Sequence, residues 1–425
     1  MDYAEARVLL DRLPRFEVKP GLERTDRLLS FLERPERQYP AIHVAGTNGK
    51  GSVVAILDAI LRESGYCVGR FTSPEVLDFR DRIAIDGAWL SEGEWAEGVD
   101  RLEPALKPAT DLPAQFEAIT ALALDAFARK DVDIAVVEVG LGGRFDATNL
   151  VEPTVTILTN VSLDHTAILG DSIEKIAWEK AGIAKPGVPW VVGALPPQAA
   201  PIVQAEARKV GAPVVSSQEM EVAVADGASP GLVLLRGTGF PETVEFALPG
   251  VYQRENLRIA LRAVQLLRER GFTISADAIE EGLRTVRWPG RLEVVRRSPD
   301  VVLDGAHNVA GARALAEEIV RWVPDAARRH LVFGVLADKD VDGILGALFP
   351  HFASVALTRS TSPRAMPPSR LAERLDGLSV PFACYDSLVE ALTASLASAS
   401  EDEVWVVAGS LTVVAEARRY LEGDR

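Results

Sequence analysis

One stretch limits what this chain can fold into more than any other: Ala45-Gly46-Thr47-Asn48-Gly49-Lys50-Gly51-Ser52. The short apolar run Ala41 to Val44 precedes it and the amphipathic segment Val53 to Arg62 follows, so the order strand, glycine-rich turn, helix is predicted. A turn of this kind gathers backbone N–H groups and the positive end of a helix on one anion site. Lys50 would then reach the terminal phosphates, and a nearby hydroxyl would help to hold magnesium. In the general phosphate-loop pattern a glycine stands where this chain has Val44, and a serine or threonine directly follows the lysine. Here Gly51 intervenes and Ser52 comes one residue late. The plain alternative is a turn with a solvated lysine, which gives no reason for a lysine flanked by glycines at a helix start.

At 425 residues the chain is too long for one ordinary core, and two or three domains are expected. Its net charge of −15 argues against nonspecific nucleic-acid binding, which needs clustered Lys and Arg. Anionic substrates must therefore be held by local positive groups. Cys67 and Cys384 are too few for a disulfide framework or a thiolate metal site. The N-terminal region mixes acidic and basic residues and has no long apolar run, so neither a signal peptide nor a membrane span is expected. A monomeric cytoplasmic enzyme acting on small molecules, with no nucleic-acid or membrane partner, is the expectation.

Further along, Ile134 to Val139 reads as a buried parallel strand that carries Glu138 near its end, before Gly140-Leu141-Gly142-Gly143. A carboxylate in an apolar strand is costly unless it is paired or on a metal, which makes Glu138 a candidate ligand. The strand Thr154 to Thr159 delivers Asn160 to Thr166, including His165, and strand ends in an open α/β sheet share one crevice. His165 and Glu138 could then reach one cation, with Ser73 of Thr72-Ser73-Pro74 as an oxygen ligand; that donor set suits magnesium better than structural zinc. Taken alone, Lys180 reads as a surface charge on a helix from Ser172 to Lys185, and Glu23 and Arg24 as first-turn surface charges. The text from Val191 to Phe246 reads as a small antiparallel addition, and Asn256 as the cap of a helix ending at Leu267. Trp288-Pro289-Gly290-Arg291 reads as a linker. After it strands alternate with helices from Val301 onward, which predicts a second parallel sheet covered on both faces.

The run His43 to Ser52 resembles the nucleotide loop of the folylpolyglutamate synthases and dihydrofolate synthases, a branch of the Mur ligase superfamily that carries the same Gly-Lys-Gly departure. Motif matches extend from Gly21 to Leu411. The resemblance implies an α/β protein: a P-loop NTPase-like central domain over residues 1–287, then a smaller Rossmann-like ligase domain over 288–425. It implies ATP contacts at Thr47, Asn48, Gly49, Lys50, Gly51, Ser52, Asn256, Arg291, Asp304 and His307, with the two domains closing over one nucleotide. Metal ligands are implied at Ser73, Glu138 and His165, serving two magnesium sites, with potassium as a further candidate cation. Substrate contacts are implied at Gly21, Leu22, Glu23, Arg24, Ala114, Gln115, Phe116, Glu117, Phe145, Asp146 and Ala147. Lys50, His165 and Lys180 form the catalytic set, and Lys180, in a Glu-Lys-Ala-Gly motif, is expected to be carbamylated.

The implied reaction activates a dihydropteroate or folyl carboxylate as an acyl phosphate and joins it to the amine of L-glutamate, with release of ADP and phosphate. Both substrates are expected; extension of reduced folates alone is the narrower alternative. A cell-wall Mur ligase usually carries an extra N-terminal UDP-binding domain, whereas about forty residues precede the loop here. A guanine-nucleotide switch would need an Asn-Lys-x-Asp base reader, which the sequence lacks.

Overall fold

The computed structural model describes residues 1–15, 21–106, 111–224, 231–237, 239–375 and 380–423. The chain divides into two compact units. The first comprises Met1–Ser162, Thr166–Ala247 and Gln253–Arg287, and the second comprises Leu163–His165, Leu248–Tyr252 and Trp288–Arg425.

Among the described residues of the first unit, strands β1 (Ala41–Ala45), β2 (Val68–Phe71), β3 (Ile83–Ile85), β4 (Ala88–Trp89), β5 (Ile134–Glu138), β6 (Pro153–Leu158), β7 (Trp190–Val192) and β8 (Val214–Ser216) form one sheet. Their order is β4-β3-β2-β5-β1-β6-β7-β8. From β2 to β8 the pairings are parallel, and β3 and β4 complete an antiparallel edge. β1 and β5 are buried along their whole length, as expected of apolar, β-branched runs covered on both faces. Register then sets the site. Val44 pairs with Glu138 and Ala45 with Leu158, so the turn after β1, the end of β5 and the segment after β6 emerge at one level.

Helix Lys50–Glu63 lies against the sheet with every residue from Gly51 to Leu61 buried. Helix Ala276–Thr285 packs on it through Gly282, where a Cβ would stand 2.8 Å from the Ile60 Cα. On another face, helices Tyr3–Asp11, Glu23–Phe31, Glu92–Leu106 and Gln115–Arg129 bury Leu10, Leu29, Trp95 and Phe127 with Phe71 and Val137.

The region from Val191 to Phe246 corrects the sequence expectation. Before any antiparallel piece, helix Ala200–Val210 and strand β8 extend the parallel sheet. Among the described residues the antiparallel part consists of β9 (Glu221–Val224), β10 (Leu232–Arg236) and β11 (Thr243–Glu245). Short β-branched pieces signal strand but not its direction, which the neighbouring strand decides. The helix expected from Asn256 begins at Val251, so Asn256 lies inside it rather than at its cap. The helix expected to reach Lys185 ends at Ala181, with Gly182 as its C-cap.

In the second unit the sheet order is β12-β13-β17-β14-β15-β16, with β12 (Glu293–Arg296), β13 (Asp300–Leu303), β14 (Arg329–Phe333), β15 (Ser354–Leu357), β16 (Phe382–Cys384) and β17 (Val404–Ala408). β13 to β16 are parallel, as the alternation of strands and helices predicts. β12, which the sequence reading passed over, pairs antiparallel at the edge. Among the described residues no helix is long and apolar enough to cross a membrane.

His43 is a structural residue of β1, fully buried, with Nε2 2.8 Å from the Thr148 hydroxyl. Burial, reinforced by Lys185, pushes its pKa down to about 3. The unfolded chain protonates His43 near pH 6.5 and the folded chain does not, so this contribution is complete above pH 6.5 and is lost as pH falls below it. Between pH 7 and pH 5 the linkage amounts to about 2 kcal/mol. Urea unfolding at the two pH values should show that much less loss in His43→Gln than in the parent; equal slopes would disprove it.

Candidate functional site

The turn after β1 is shaped by two close approaches. Gly46 has φ 153° and a Cβ there would stand 1.8 Å from the Thr159 Oγ1; Gly49 has φ 84° and a Cβ there would stand 2.3 Å from the Asn256 Oδ1. Only glycine fits either place. The segment after β6 latches the turn. Thr47 N donates to the Asn160 carbonyl (3.1 Å) and Asn48 N to Asn160 Oδ1 (3.0 Å). Asn160 Nδ2 (2.9 Å) and Thr159 Oγ1 (2.6 Å) both donate to the Asn48 carbonyl. Thr47 Oγ1 is bound from the other side, accepting from Ser162 N at 3.0 Å.

Helix Lys50–Glu63 starts where this cradle ends, so its unpaired first-turn N–H groups open on the turn. Lys50 Nζ donates to the Thr47 carbonyl (3.3 Å) and stands 3.9 Å from Glu138 Oε1. Ser52 is buried, its Oγ accepting from Gln253 Nε2 (3.2 Å), and Gln253 Oε1 accepts from Asn256 Nδ2 (2.8 Å). Asn256 thus serves the wall of the cradle from within its helix.

Glu138 is buried at the end of β5, and Ser73 N donates to its Oε2 (3.3 Å). The Ser73 hydroxyl is buried and has no hydrogen-bond partner among the described residues. A buried orphan hydroxyl beside a carboxylate and a phosphate-type loop is a hard-oxygen donor set that fits magnesium. Among the described residues no three His, Cys, Asp or Glu side chains converge as a metal centre. The donor set therefore fits a cation that keeps water and phosphate oxygens among its ligands, as magnesium does.

Lys180 differs from the surface charge that its local sequence suggests. It is buried, and its Nζ donates to the Gly46 carbonyl at 2.9 Å. Helix Ile173–Ala181 turns this face inward, with Ile176, Ala177 and Ala181 buried beside it. Arg24 is also buried, and makes a two-pronged pair with Glu117 (Nε to Oε2 2.9 Å, Nη2 to Oε1 2.8 Å). Glu117 in turn accepts from Ala114 N (2.7 Å), and Gln115 Nε2 reaches the Leu10 carbonyl (3.1 Å) and Asp11 (2.9 Å).

These polar groups brace helices against one another. Phe116 lies against the Gly140 backbone, its ring centroid 5.8 Å from that of Phe71. Asp146 is buried and holds Leu141 N (2.8 Å) and Thr148 N (3.0 Å); burial raises its carboxyl pKa. Ala147 is buried too, while Phe145 and Glu23 are exposed and Gly21, Leu22 and Ala114 half-buried.

In the second unit, Asp304 ends β13 fully enclosed. It accepts from Leu292 N (3.0 Å), Ala306 N (2.9 Å) and Tyr252 OH (3.1 Å). Burial raises its pKa against the opposing pull of Arg291 and these donors. Arg291 Nη1 donates to the Gly290 carbonyl at 2.9 Å, and His307 Nδ1 lies 2.8 Å from the Gly305 carbonyl. Asp164 accepts from Lys339 Nζ (2.6 Å) and Asn308 Nδ2 (2.9 Å). Burial alone would raise the Asp164 pKa, but His307, Lys339 and His165 together hold it far below the usual carboxylate range. His165 itself has φ 50° and lies 3.3 Å from Lys339 Nζ through Nε2. It belongs to this cluster in the second unit, and Ser73 and Glu138 to the first.

Sequence reasoning assigned no role to Asn160, Thr159, Gln253, Tyr252 or Asp164. The signal available for Asn160 and Thr159 was their position directly after a strand parallel to β1.

Residues 44–264 match the Mur ligase middle domain and residues 290–411 the Mur ligase glutamate ligase domain. The chain is 38% identical over 378 residues to the dihydrofolate synthase/folylpolyglutamate synthase of Bacillus subtilis, covering 84% of this chain and 86% of that protein. Among solved structures it resembles Mycobacterium tuberculosis folylpolyglutamate synthase complexed with ADP and AMPPCP, with a TM-score of 0.90, 35% identity and 99% and 98% of the two chains covered. It also resembles E. coli FolC in complex with DHPP and ADP, with a TM-score of 0.89, 31% identity and 100% and 99% covered.

The latch gives a direct test. Asn160→Ala removes both side-chain bonds to Asn48 and should weaken ADP binding about tenfold, equivalent to about 1.4 kcal/mol. Calorimetric titration checks this, and unchanged affinity in a folded variant would refute the latch.

Proposed function

The chain belongs to the folylpolyglutamate and dihydrofolate synthases of the Mur ligase family, ATP-dependent ligases, and we propose that it joins L-glutamate both to dihydropteroate and to the glutamyl tail of reduced folates. The observation that carries this reading is the convergence of Lys50, Glu138 and the Ser73 hydroxyl, unpartnered among the described residues, at the turn that leads into the helix Lys50–Glu63. That set is suited to phosphoryl transfer, where catalysis is chiefly positioning and charge stabilisation.

In the proposed reaction a substrate carboxylate oxygen attacks the γ-phosphorus of ATP and the bond to ADP breaks. The glutamate amine then attacks the acyl carbon, phosphate leaves, and the amine proton passes to solvent or a nearby base. Lys50 and the first-turn amides of its helix take up charge developing on the transferring phosphoryl oxygens. Ser73 and Glu138 would hold magnesium, which supplies Lewis-acid neutralisation of the phosphates when bound, and the motif resemblance assigns His165 a metal-holding role in the second unit. Lys180 is proposed to be carbamylated, which would turn its buried cation into an anionic oxygen donor beside the turn.

The turn residues Thr47 to Ser52, with Asn256, are proposed as nucleotide contacts in the first unit, and Arg291, Asp304 and His307 as those the motif resemblance assigns in the second. Phe116 and Phe145 are the proposed ring contacts for a pterin, within a frame set by Gly21 to Arg24, Ala114 to Glu117, Asp146 and Ala147. The proposal divides the chain at residues 1–287 and 288–425. It describes a monomeric cytoplasmic enzyme, with potassium as an optional second cation.

Purified enzyme with ATP, magnesium and labelled glutamate should give product from dihydropteroate and from tetrahydrofolate, each with one ADP released. No product from dihydropteroate would leave only the folate-extending half, and ADP release indifferent to both acceptors would remove the ligase reading. Lys50→Ala should lower kcat roughly a hundredfold or more while leaving the thermal midpoint unchanged; near-parental turnover would sink the loop assignment. Lys180→Ala should lose turnover that a short carboxylic acid partly restores, and a variant as fast as the parent would end the carbamate proposal.

A further inference from the structure

Ser73 opens a loop that runs to Arg82, and this loop is organised around a carboxylate that the proposed chemistry leaves without a role. Asp81 is buried, and its Oδ2 accepts from three successive backbone amides: Val76 N at 2.9 Å, Leu77 N at 2.6 Å and Asp78 N at 3.3 Å. The neck of the loop is closed by Thr72 N donating to the Arg82 carbonyl at 2.9 Å, with Thr72 Oγ1 3.5 Å from the Asp81 carbonyl. Glu75 and Arg82 pair across it, and Phe79 packs on Trp95 with ring centroids 5.0 Å apart. Proline at 74 has no N–H to anchor the chain, and the amides of residues 76–78 beyond it are fastened to Asp81. Ser73 sits between the closed neck and this gathered turn, with its N–H on Glu138 and its hydroxyl unpartnered among the described residues.

We propose that Asp81 is a positioning residue for Ser73: by drawing the amides of residues 76–78 together it fixes the loop so that the Ser73 hydroxyl stays beside Glu138, ready to bind a divalent cation. The proposal rests on the reading of Ser73 as a metal-holding residue. Partners that orient metal ligands typically contribute ten- to hundredfold in metal affinity, although they never touch the ion. Asp81 would act in this way through backbone rather than through a ligand side chain.

The test uses the full chain with a non-hydrolysable ATP analogue and Mn2+ as a paramagnetic probe, free Mn2+ being measured by electron paramagnetic resonance. Asp81→Ala should weaken Mn2+ binding about tenfold or more. Asp81→Asn, which keeps an acceptor oxygen without the charge, should give a smaller loss. Amide hydrogen exchange at residues 76–78 should rise, while ADP affinity in EDTA stays at the parental value, which a general loss of structure would not allow. Ser73→Ala should weaken Mn2+ binding comparably, and the double variant Ser73→Ala/Asp81→Ala should bind no more weakly than Ser73→Ala alone.

Parental Mn2+ binding in Asp81→Ala alongside weakened binding in Ser73→Ala overturns the proposal and leaves the metal reading standing; if Asp81→Ala does not fold, Asp81→Asn decides in its place. Losses that multiply in the double variant also overturn it, since Asp81 would then act independently of Ser73. Parental binding in Ser73→Ala removes the metal reading and the proposal together.

Discussion

The parallel pairing of β1 between β5 and β6 is the constraint on which the rest of the first unit depends. With Val44 opposite Glu138 and Ala45 opposite Leu158, three strand ends reach one level, and the groups that follow them must meet. A one-residue slip would reverse which face each side chain takes and carry Glu138 away from Lys50. The register is held because β1 and β5 are buried on both faces, leaving no polar face to tolerate a shift.

On that base, short polar side chains finish the loop. Asn160 and Thr159 take up groups of the turn between Gly46 and Lys50 that would otherwise need water, and leave the first-turn amides of the following helix open. A chain with net charge −15 can thus gather positive potential in one place, from Lys50, backbone N–H groups and a helix end. Long-range attraction is not required when donors are fixed within hydrogen-bond reach.

Much of the remaining polar burial is structural and serves the site indirectly. The Arg24–Glu117 pair and the Gln115 bonds brace helices beneath Phe116, and Asp146 holds the glycine turn that follows β5. Such groups are expensive to bury and worse to leave unpaired, so each is met by a partner fixed elsewhere in the chain. In the second unit Asp304 and Asp164 follow the same rule in different ways. Asp304 is enclosed by neutral donors together with Arg291, and burial prevails; Asp164 is met by Lys339 and by the imidazoles of His307 and His165, and these partners prevail.

The sequence by itself determined the α/β class, the strand-turn-helix order around Lys50, the alternation in the second unit and the candidacy of Glu138, because apolar periodicity, glycine placement and a carboxylate at a strand end are local signals. It misread Lys180 and Arg24 as surface charges, since a lysine or arginine on an amphipathic helix reads the same whether or not a partner waits beneath it. It also misplaced the start of the helix holding Asn256 and read β8 as part of an antiparallel addition, although β9 to β11 do pair antiparallel. Only the tertiary structure decided these, and only it joined Asn160 to Asn48 and Gln253 to Ser52. Those contacts span more than a hundred residues, and what selects them is strand register and packing, which no local pattern encodes.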